Sequence, residues 1–179
     1  MFPEISLHIL DIAENSVRAG ASLIQIGVDS RENLLTVVIR DDGCGMSPEM
    51  TAAVTDPFTT SRTTRRVGLG IPFFKLAVEM TGGSFSIISE EGAGTAVTAV
   101  FHTDHIDCMP LGDLPGTIWA LITLYPDIDF VFTRTCGGKS RVLDTVQLRE
   151  MLAPVPMSDP EVKLYLREYL EDMERNMEA

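Results

Sequence analysis

The sequence predicts an α/β protein, in which helices with one apolar face occur together with strands rich in branched apolar residues. Residues 5–18 carry apolar side chains at three- and four-residue spacing, which is typical of a helix packed on one side. Residues 23–29 and 34–40 are rich in Ile, Val and Leu and flank a short polar turn, which predicts two adjacent strands. With 179 residues, the chain can bury one substantial core.

The first helix carries a polar stripe in addition to its apolar face. His8, Asp11, Asn15 and Arg18 recur at helical spacing and therefore lie on one side of the helix. A stripe of this kind is often only a solvated surface. Alternatively, Asn15 offers a carbonyl oxygen to Mg²⁺, which prefers hard oxygen ligands and shares its coordination shell with waters and phosphates. One turn earlier, Asp11 could then orient or deprotonate a water molecule near that metal.

The second strand ends in a sequence that combines a carboxylate with glycines, Asp41-Asp42-Gly43-Cys44-Gly45. The Asp41 carboxylate can accept a hydrogen bond from the amino group of an adenine. Gly43 and Gly45 remove side chains where the backbone turns sharply and approaches a flat base. The alternative interpretation is an ordinary Asp-Gly turn.

A third cluster, Gly68-Leu69-Gly70-Ile71-Pro72, predicts the start of another helix that runs to about Met80. Pro72 suits a first helical turn, and glycines at a helix N-terminus expose backbone N–H groups to an anion such as phosphate. The preceding loop, residues 55–67, is hydroxyl-rich and basic within an acidic chain, so we expect a lid over phosphates. The alternative is a surface loop with solvated charges.

The order and spacing of these three clusters predict a nucleotide pocket, and they carry a family resemblance. The chain resembles the GHKL superfamily, which includes gyrase B, Hsp90, histidine kinases and MutL. Residues 14–16 with 19–21 resemble the N box of that superfamily, in a form close to MutL, and residues 41–46 resemble its G1 box. Residues 56–60 and 68–70 resemble the F and G2 boxes of histidine kinases. The resemblance covers roughly residues 3–102.

The resemblance implies an ATP-binding Bergerat fold, an α+β two-layer sandwich with helices on one face of a mixed sheet. It implies that Asn15 holds Mg²⁺, that Asp41 contacts the adenine amino group, and that Thr95 lies beside the adenine. The lid residues would approach the phosphates. The residues expected to contact the cofactor are Asn15, Asp41, Gly43, Gly45, Met46, Phe58, Thr59, Thr60, Gly68, Leu69, Gly70 and Thr95.

Asp11 is the candidate catalytic residue, because it stands four residues before Asn15, where the hydrolysing members of the superfamily carry a glutamate. Aspartate is one methylene shorter than glutamate. The shorter side chain affects the expected activation of water for hydrolysis. The expectation of ATP binding is unchanged.

Composition and charge narrow the function classes. The formal net charge of −12 argues against general nucleic-acid binding. No apolar run approaches a membrane span of about 18–20 residues, and no basic leader precedes the first helix, so we expect a cytoplasmic protein. The three cysteines, Cys44, Cys108 and Cys136, are too widely separated to suggest a disulfide framework or a zinc site. The histidines and aspartates of residues 102–107 indicate either a strand-end loop or, less often, a metal cluster.

Beyond residue 103 the resemblance ends, and we expect an ATPase domain over residues 1–103 and a C-terminal α/β extension of unknown role over 104–179. Residues 113–124 predict a buried helix, and residues 130–135 and 141–144 predict a hairpin around Gly137-Gly138. A short helix over 145–152 and a longer one from residue 160 complete the prediction. The last helix has an apolar stripe that either covers the sheet or docks a partner, including a second copy of the chain.

These features lead to three hypotheses about function. The first is a protein kinase that phosphorylates or regulates a partner protein, because too few residues precede the first helix for a phosphoacceptor hairpin like that of histidine kinases. Anti-sigma-factor serine kinases are small GHKL proteins of this type. The second hypothesis is a slow ATPase that acts as a nucleotide switch, and the third is a binding module that senses ATP without turnover. The partner and the phosphoacceptor residue are not indicated by the sequence.

Overall fold

The computed structural model describes residues 3–55 and 69–178, which form one mixed β-sheet with helices packed against it. The fold class predicted from the sequence is confirmed. The helices are α1 (Ile5–Arg18), α2 (Pro48–Val54), α3 (Gly70–Met80), α4 (Leu114–Leu124), α5 (Thr145–Leu152) and α6 (Pro160–Glu178). The strands are β1 (Leu23–Arg31), β2 (Leu34–Asp41), β3 (Ser84–Glu90), β4 (Gly94–His102), β5 (Asp129–Cys136) and β6 (Lys139–Asp144).

The predicted helices and strands are present with bounds within a few residues of the expectation, and three elements were not predicted. These are α2, β3 and β4, all in the half of the chain that carries the family motifs. Among the described residues, no helix combines the length and the apolar character that crossing a membrane requires.

The strand order is β3-β4-β2-β1-β5-β6, and neighbouring strands are antiparallel except for the parallel pair β1 and β5. The register places alternate apolar residues in rows on one face of the sheet. Ile26 lies opposite Ile39, and Ile39 lies opposite Val97, and all three are buried. This buried face is covered by helices, because a half-buried strand needs a partner layer for its apolar side.

Helix α1 packs against the sheet and against two other helices, and its C-terminal half reaches the end of β2. Ile5, Ile9, Ile12 and Ala13 are buried in the core, and α1 contacts α3, α4 and β2. The helix ends before Gly20, whose φ of +74° is a left-handed conformation that glycine adopts without strain. The chain then enters β1, which fixes where α1 points.

The C-terminal segment extends the same sheet. Strand β5 pairs with β1 in parallel, and β6 pairs with β5 and forms the sheet edge. Helix α4 packs against α1, and α6 packs against α4 and β5. The apolar stripe of α6 thereby covers the sheet with Val162, Leu166, Leu170 and Met173 buried, while Tyr165 remains exposed. The division into two domains at residue 103 remains a prediction, and the two segments share one hydrophobic core.

A buried ion pair joins α6 to this sheet. Arg134 of β5 donates to both carboxylate oxygens of Glu174, with N···O distances of 2.9–3.1 Å. The same guanidinium donates to the Ser30 hydroxyl at 3.0 Å and to the backbone oxygen of Thr135 at 2.7 Å. The charge of Arg134 is therefore compensated by Glu174 and satisfied by partners on β1 and β5.

We expect Glu174→Ala to lower the free energy of unfolding by about 3–5 kcal/mol, because it leaves the Arg134 charge buried without its partner. The Arg134 side chain is only 4% exposed, so water cannot replace the carboxylate. Glu171→Ala is the matched control, since its pair with Arg167 is about half exposed and should contribute less than about 1 kcal/mol. Urea unfolding of both variants measures the difference, and equal losses would contradict a buried pair.

His8 is a titratable group in the core. It is fully buried and stacks on Phe74 with ring centroids 5.3 Å apart. Burial penalises the imidazolium and lowers the pKa of His8 from 6.5 to about 4. Folding therefore keeps this side chain neutral at pH values where the unfolded chain already binds a proton.

We expect stability to decrease as the pH falls from 6.5 to about 4, and the contribution of His8 to level off below that range. The contribution is fully present above pH 6.5 and its total loss is roughly 3 kcal/mol, from the difference between the folded and unfolded pKa values. His8→Phe should flatten this part of the pH profile of unfolding free energy while keeping the ring on Phe74. Ile106→Gln is the control that should leave the profile unchanged, because Ile106 is 95% exposed and the substitution removes no titratable group. If the unfolding free energy of His8→Phe and that of the parent protein fell equally between pH 6.5 and 4, the role given to His8 would be contradicted.

Candidate functional site

A cavity of about 570 Å³ opens on the helix-covered face of the sheet, where β2 ends and β4 begins beside the C-terminal half of α1. Its size lies in the range of small-molecule sites, about 300–1,000 Å³. The walls are mainly apolar, with a few polar groups between them. The lining residues are Ile12, Asn15, Ser16, Arg18, Ala19, Ile39, Asp41, Cys44, Gly45, Met46, Met50, Ile71, Thr95 and Val97.

The Asp41 carboxylate is the central polar group of the cavity, and donors from three parts of the chain hold it in place. Its Oδ2 accepts a hydrogen bond from the Ser16 hydroxyl at 2.5 Å. Its Oδ1 accepts from the backbone N–H of Gly43 at 2.9 Å and from that of Thr95 at 3.3 Å. Because these three donors fix the direction of the carboxylate, the cavity presents an oriented hydrogen-bond acceptor.

A second set of hydrogen bonds fixes the wall beside Asp41. The Ser89 hydroxyl lies 2.8 Å from that of Thr95 and accepts from the backbone N–H of Met46 at 2.9 Å. The same hydroxyl donates to the Gly94 carbonyl at 3.1 Å. Ser89 on β3 thereby joins the loop after β2 to β4, and it sets the positions of two predicted contact residues, Met46 and Thr95.

The glycines after Asp41 are required by close backbone contacts. A Cβ atom at Gly43 would lie 2.9 Å from that of Ala19, at the end of α1. Gly45 has a φ of +65°, and a Cβ there would overlap the carbonyl oxygen of Glu90. The absence of side chains at these glycines lets the loop approach α1 and β3, and their predicted approach to a bound base stays a prediction.

Asn15 lies at the cavity rim, beside the Arg18 guanidinium. Its Oδ1 accepts a hydrogen bond from Arg18 Nη2 at 2.6 Å, and Arg18 Nη1 lies 3.7 Å from the Glu14 carboxylate. The Asn15 Nδ2 is buried and has no hydrogen-bond partner among the described residues. The oxygen that was predicted to bind Mg²⁺ is therefore at the cavity but is occupied by Arg18.

Asp11 does not line the cavity. Its carboxylate packs against Gly70 at the start of α3, where a Cβ atom would overlap it. Burial raises the pKa of the Asp11 carboxyl; Arg18 opposes this shift and Glu14 reinforces it. A carboxylate with a raised pKa is a better proton acceptor, and the catalytic role of Asp11 stays a prediction.

Some of the remaining predicted residues lie near the cavity, and others lie outside the described residues. The backbone N–H of Gly43 donates to the Asp41 carboxylate, and Leu69 precedes α3 with its side chain about half exposed. Phe58, Thr59, Thr60 and Gly68, with most of the proposed lid, lie outside the described residues. The acidic and histidine side chains of residues 102–107 occupy a strand end and an exposed turn, and among the described residues no group of three metal-ligating side chains is present.

Ser16 is the main residue that the sequence reasoning missed. Its hydroxyl holds the Asp41 carboxylate, although 25 positions separate the two residues. A signal existed, because Ser16 follows Asn15 and lies one helical turn after Ile12, which faces the cavity. The apolar wall residues were missed as well, because an apolar residue at each position is equally typical of an ordinary hydrophobic core. These residues are Ile12, Ile39, Met50, Ile71 and Val97.

The side chains at the rim fit a magnesium ion that arrives with phosphates. A site built from protein ligands alone needs several oxygens, whereas Mg²⁺ in nucleotide sites keeps waters and phosphates and needs one or two protein ligands. Asn15 offers one amide oxygen there, once the Arg18 guanidinium moves from it. A guanidinium freed beside phosphates would in turn have new anionic partners.

Comparison with known proteins gives the site a family context. The family model described as histidine kinase-, DNA gyrase B- and HSP90-like ATPase matches residues 4–105. This range contains α1, the strands β1 to β4 and every described residue that lines the cavity.

The similar curated proteins are sensor and sporulation kinases. The chain is 25% identical over 105 residues to a putative sensor histidine kinase NtrY-like of Rickettsia conorii, covering 58% of this chain and 17% of that protein. It is 37% identical over 94 residues to sporulation kinase D of Bacillus subtilis, covering 50% of this chain and 18% of that protein. The family match supports ATP binding, and the chain spans less than a fifth of the length of these two relatives. The chain belongs to the family of histidine kinase-, DNA gyrase B- and HSP90-like ATPases.

Proposed function

We propose that the chain binds Mg-ATP in the cavity beneath α1 and transfers the γ-phosphoryl group to a partner protein. The observation that carries the proposal is the Asp41 carboxylate, which three donors orient into a mainly apolar cavity. Apolar walls suit the faces of a flat base, and one fixed acceptor suits its amino group.

Base selection follows from the charge of this acceptor. An adenine amino group donates to the carboxylate, and a hydrogen bond to a charged partner contributes on the order of 1.5–3 kcal/mol. A guanine places a carbonyl oxygen at the same point, so two acceptors would face each other. Ser16, Gly43 and Thr95 keep the carboxylate from turning away, which makes the discrimination a property of the fold.

At the rim, Asn15 would hold the magnesium ion and Arg18 would face the phosphates. Bound Mg²⁺ supplies charge neutralisation on the transferred phosphoryl group. Asn15 would give up its hydrogen bond with Arg18 in order to hold the metal, and Glu14, whose carboxylate lies 3.7 Å from Arg18, would keep the guanidinium at the rim. Helix α3 begins at Gly70, next to the cavity residue Ile71, and a helix N-terminus in general favours anions.

Transfer to a protein is proposed because the relatives named above are kinases, although the match covers less than a fifth of their length. The acceptor in this proposal lies on another domain or another protein. A slow ATPase is the second candidate. Asp11 lies outside the cavity lining but contacts Gly70 at the start of α3, and a carboxylate with a raised pKa can accept a proton from water.

Incubation of the purified protein with γ-labelled Mg-ATP separates these functions, alone and with a protein extract of the source organism. Label on a protein is the expected result for a kinase, and free labelled phosphate is the expected result for the ATPase. Unchanged ATP in both reactions would overturn phosphoryl transfer and hydrolysis together.

Asp41→Asn should weaken ATP binding by about tenfold or more, because ~1.4 kcal/mol corresponds to a factor of ten. Calorimetry with ATP and GTP measures the effect, and the parent protein should bind GTP poorly. Asp127→Asn, at an exposed position, is the matched control with the same change of charge. Equal affinity of the parent for ATP and GTP would remove the role given to Asp41.

Two substitutions on α1 should separate binding from turnover. Asn15→Ala should abolish phosphoryl transfer by removing the metal contact, while α1 persists because alanine favours helices. Asp11→Asn should leave ATP binding unchanged and abolish any hydrolysis. Nucleotide affinity by calorimetry and phosphate release are measured on each, with Asn176→Ala on the exposed face of α6 as control. If Asp11→Asn loses stability but keeps turnover per folded molecule, Asp11 is structural.

A further inference from the structure

A chain of polar contacts joins the C-terminal segment to the rim of the nucleotide cavity. The Tyr125 hydroxyl, at the end of α4, donates to Glu14 Oε1 at 3.4 Å. The other carboxylate oxygen, Glu14 Oε2, lies 3.7 Å from Arg18 Nη1, and Arg18 Nη2 donates to Asn15 Oδ1 at 2.6 Å. Tyr125 lies beyond the residues that match the family model, so the family match does not account for this chain of contacts.

Tyr125 is held in place by backbone and side-chain contacts. Its backbone N–H donates to the Leu121 carbonyl at 3.1 Å, and its own carbonyl accepts from the Ile128 N–H at 3.1 Å. The partly buried ring packs against the hydrophobic core, and α4 packs against α1. Burial raises the pKa of the Tyr125 hydroxyl, the Glu14 charge adds to this shift and Arg18 opposes it. At neutral pH the hydroxyl therefore keeps its proton and acts as a hydrogen-bond donor.

The side-chain amide of Asn15 takes its orientation from Arg18. The amide nitrogen, Nδ2, is buried and has no hydrogen-bond partner among the described residues, so the hydrogen bond from Arg18 to Oδ1 orients the amide. In the proposed function, Oδ1 holds a magnesium ion. A guanidinium 2.6 Å from that oxygen would repel the ion, because both are cations. Arg18 must therefore leave Asn15 when the metal binds.

The Glu14 carboxylate is the anion beside Arg18 that can receive the guanidinium when it leaves Asn15. The Glu14 side chain is 32% exposed, so a carboxylate without a fixed partner could turn toward water. The Tyr125 hydroxyl holds Oε1, and Oε2 thereby stays directed at Arg18. Contacts that orient the neighbours of a metal ligand affect metal affinity in the same way as contacts to the ligand itself, although more weakly.

We propose that Tyr125 is a positioning residue for the magnesium site and acts on Asn15 through Glu14 and Arg18. The inference rests on the proposed function, because it needs Asn15 to hold the ion. Tyr125 fixes the carboxylate that receives the guanidinium, and Asn15 Oδ1 is thereby released for the metal. The segment beyond the family match then sets how strongly magnesium tightens nucleotide binding. The competing explanation is that the Tyr125 hydroxyl only secures α4 to α1.

Calorimetry of ADP binding to the full chain, once with Mg²⁺ and once with EDTA, tests the proposal without turnover. The ratio of the dissociation constant in EDTA to that in Mg²⁺ measures how much magnesium tightens binding. Tyr125→Phe keeps the ring and removes the hydroxyl, and we expect it to lower this ratio about three- to tenfold, the range of one hydrogen bond. The affinity in EDTA should stay unchanged. Tyr165→Phe is the matched control, since it removes the same atom on α6, where Tyr165 is 52% exposed.

A double-mutant cycle tests whether Tyr125 acts through Glu14. Glu14→Gln keeps the shape of the side chain and removes the charge that receives Arg18, so it should lower the ratio at least as much as Tyr125→Phe. Tyr125→Phe added to Glu14→Gln should lower the ratio no further, because the effect of the hydroxyl depends on that charge. Circular dichroism confirms that each variant is folded.

The outcomes separate this inference from the proposed function. If the parent binds no ADP, or binds it equally with Mg²⁺ and with EDTA, the proposed site or its metal ligand is wrong and the inference is wrong with it. If magnesium tightens binding in the parent and Tyr125→Phe has the same ratio as Tyr165→Phe, only the inference is wrong. Equal losses of affinity in Mg²⁺ and in EDTA would assign Tyr125 a structural role alone. Additive effects of Tyr125→Phe and Glu14→Gln would contradict action through Glu14.

Discussion

The hydrogen bonding of the Asp41 carboxylate is the constraint on which the nucleotide site depends. Its donors come from α1, from the loop after β2 and from β4, so the carboxylate takes its orientation only when these elements are assembled. The glycine at position 43 lets the loop approach α1, and Ser89 joins that loop to β4. A partly buried carboxylate without these donors would lose part of its hydration without compensation, and with them it becomes a rigid acceptor. The apolar cavity and its oriented carboxylate are therefore products of one packing arrangement.

The C-terminal segment supports this arrangement from the opposite side. Strand β5 pairs with β1, α4 packs on α1, and Arg134 with Glu174 secures α6 to the sheet. The Tyr125 hydroxyl, at the end of α4, donates to Glu14 at 3.4 Å, one residue from Asn15. Burial is the main reason that the pKa of Tyr125 is raised, and Glu14 adds to it. Helix α1 thus contacts the nucleotide cavity with one side and the C-terminal segment with another.

Periodicity and spacing predicted the elements whose apolar residues are dense. Three groups of elements were predicted from this pattern. They are the helix over residues 5–18, the strands on either side of Glu32 and the last helix. Strand β3 was missed although Phe85 and Ile87 alternate with serines, because so few apolar residues make a weak signal. Asp41, Asn15 and Thr95 were found from motifs, and all three line the cavity. The Ser16 to Asp41 bond and the pairing of β5 with β1 could not be found, because both join segments distant in sequence and depend on how the layers cross.

The most direct test of the account is a crystal structure of the chain with Mg²⁺ and a non-hydrolysable ATP analogue. The account predicts the adenine between the apolar walls, with its amino nitrogen within about 3.2 Å of the Asp41 carboxylate. It also predicts that Ser16, Gly43 and Thr95 keep their hydrogen bonds to that carboxylate. A nucleotide bound elsewhere, or an adenine whose amino group faces away from Asp41, would contradict the account.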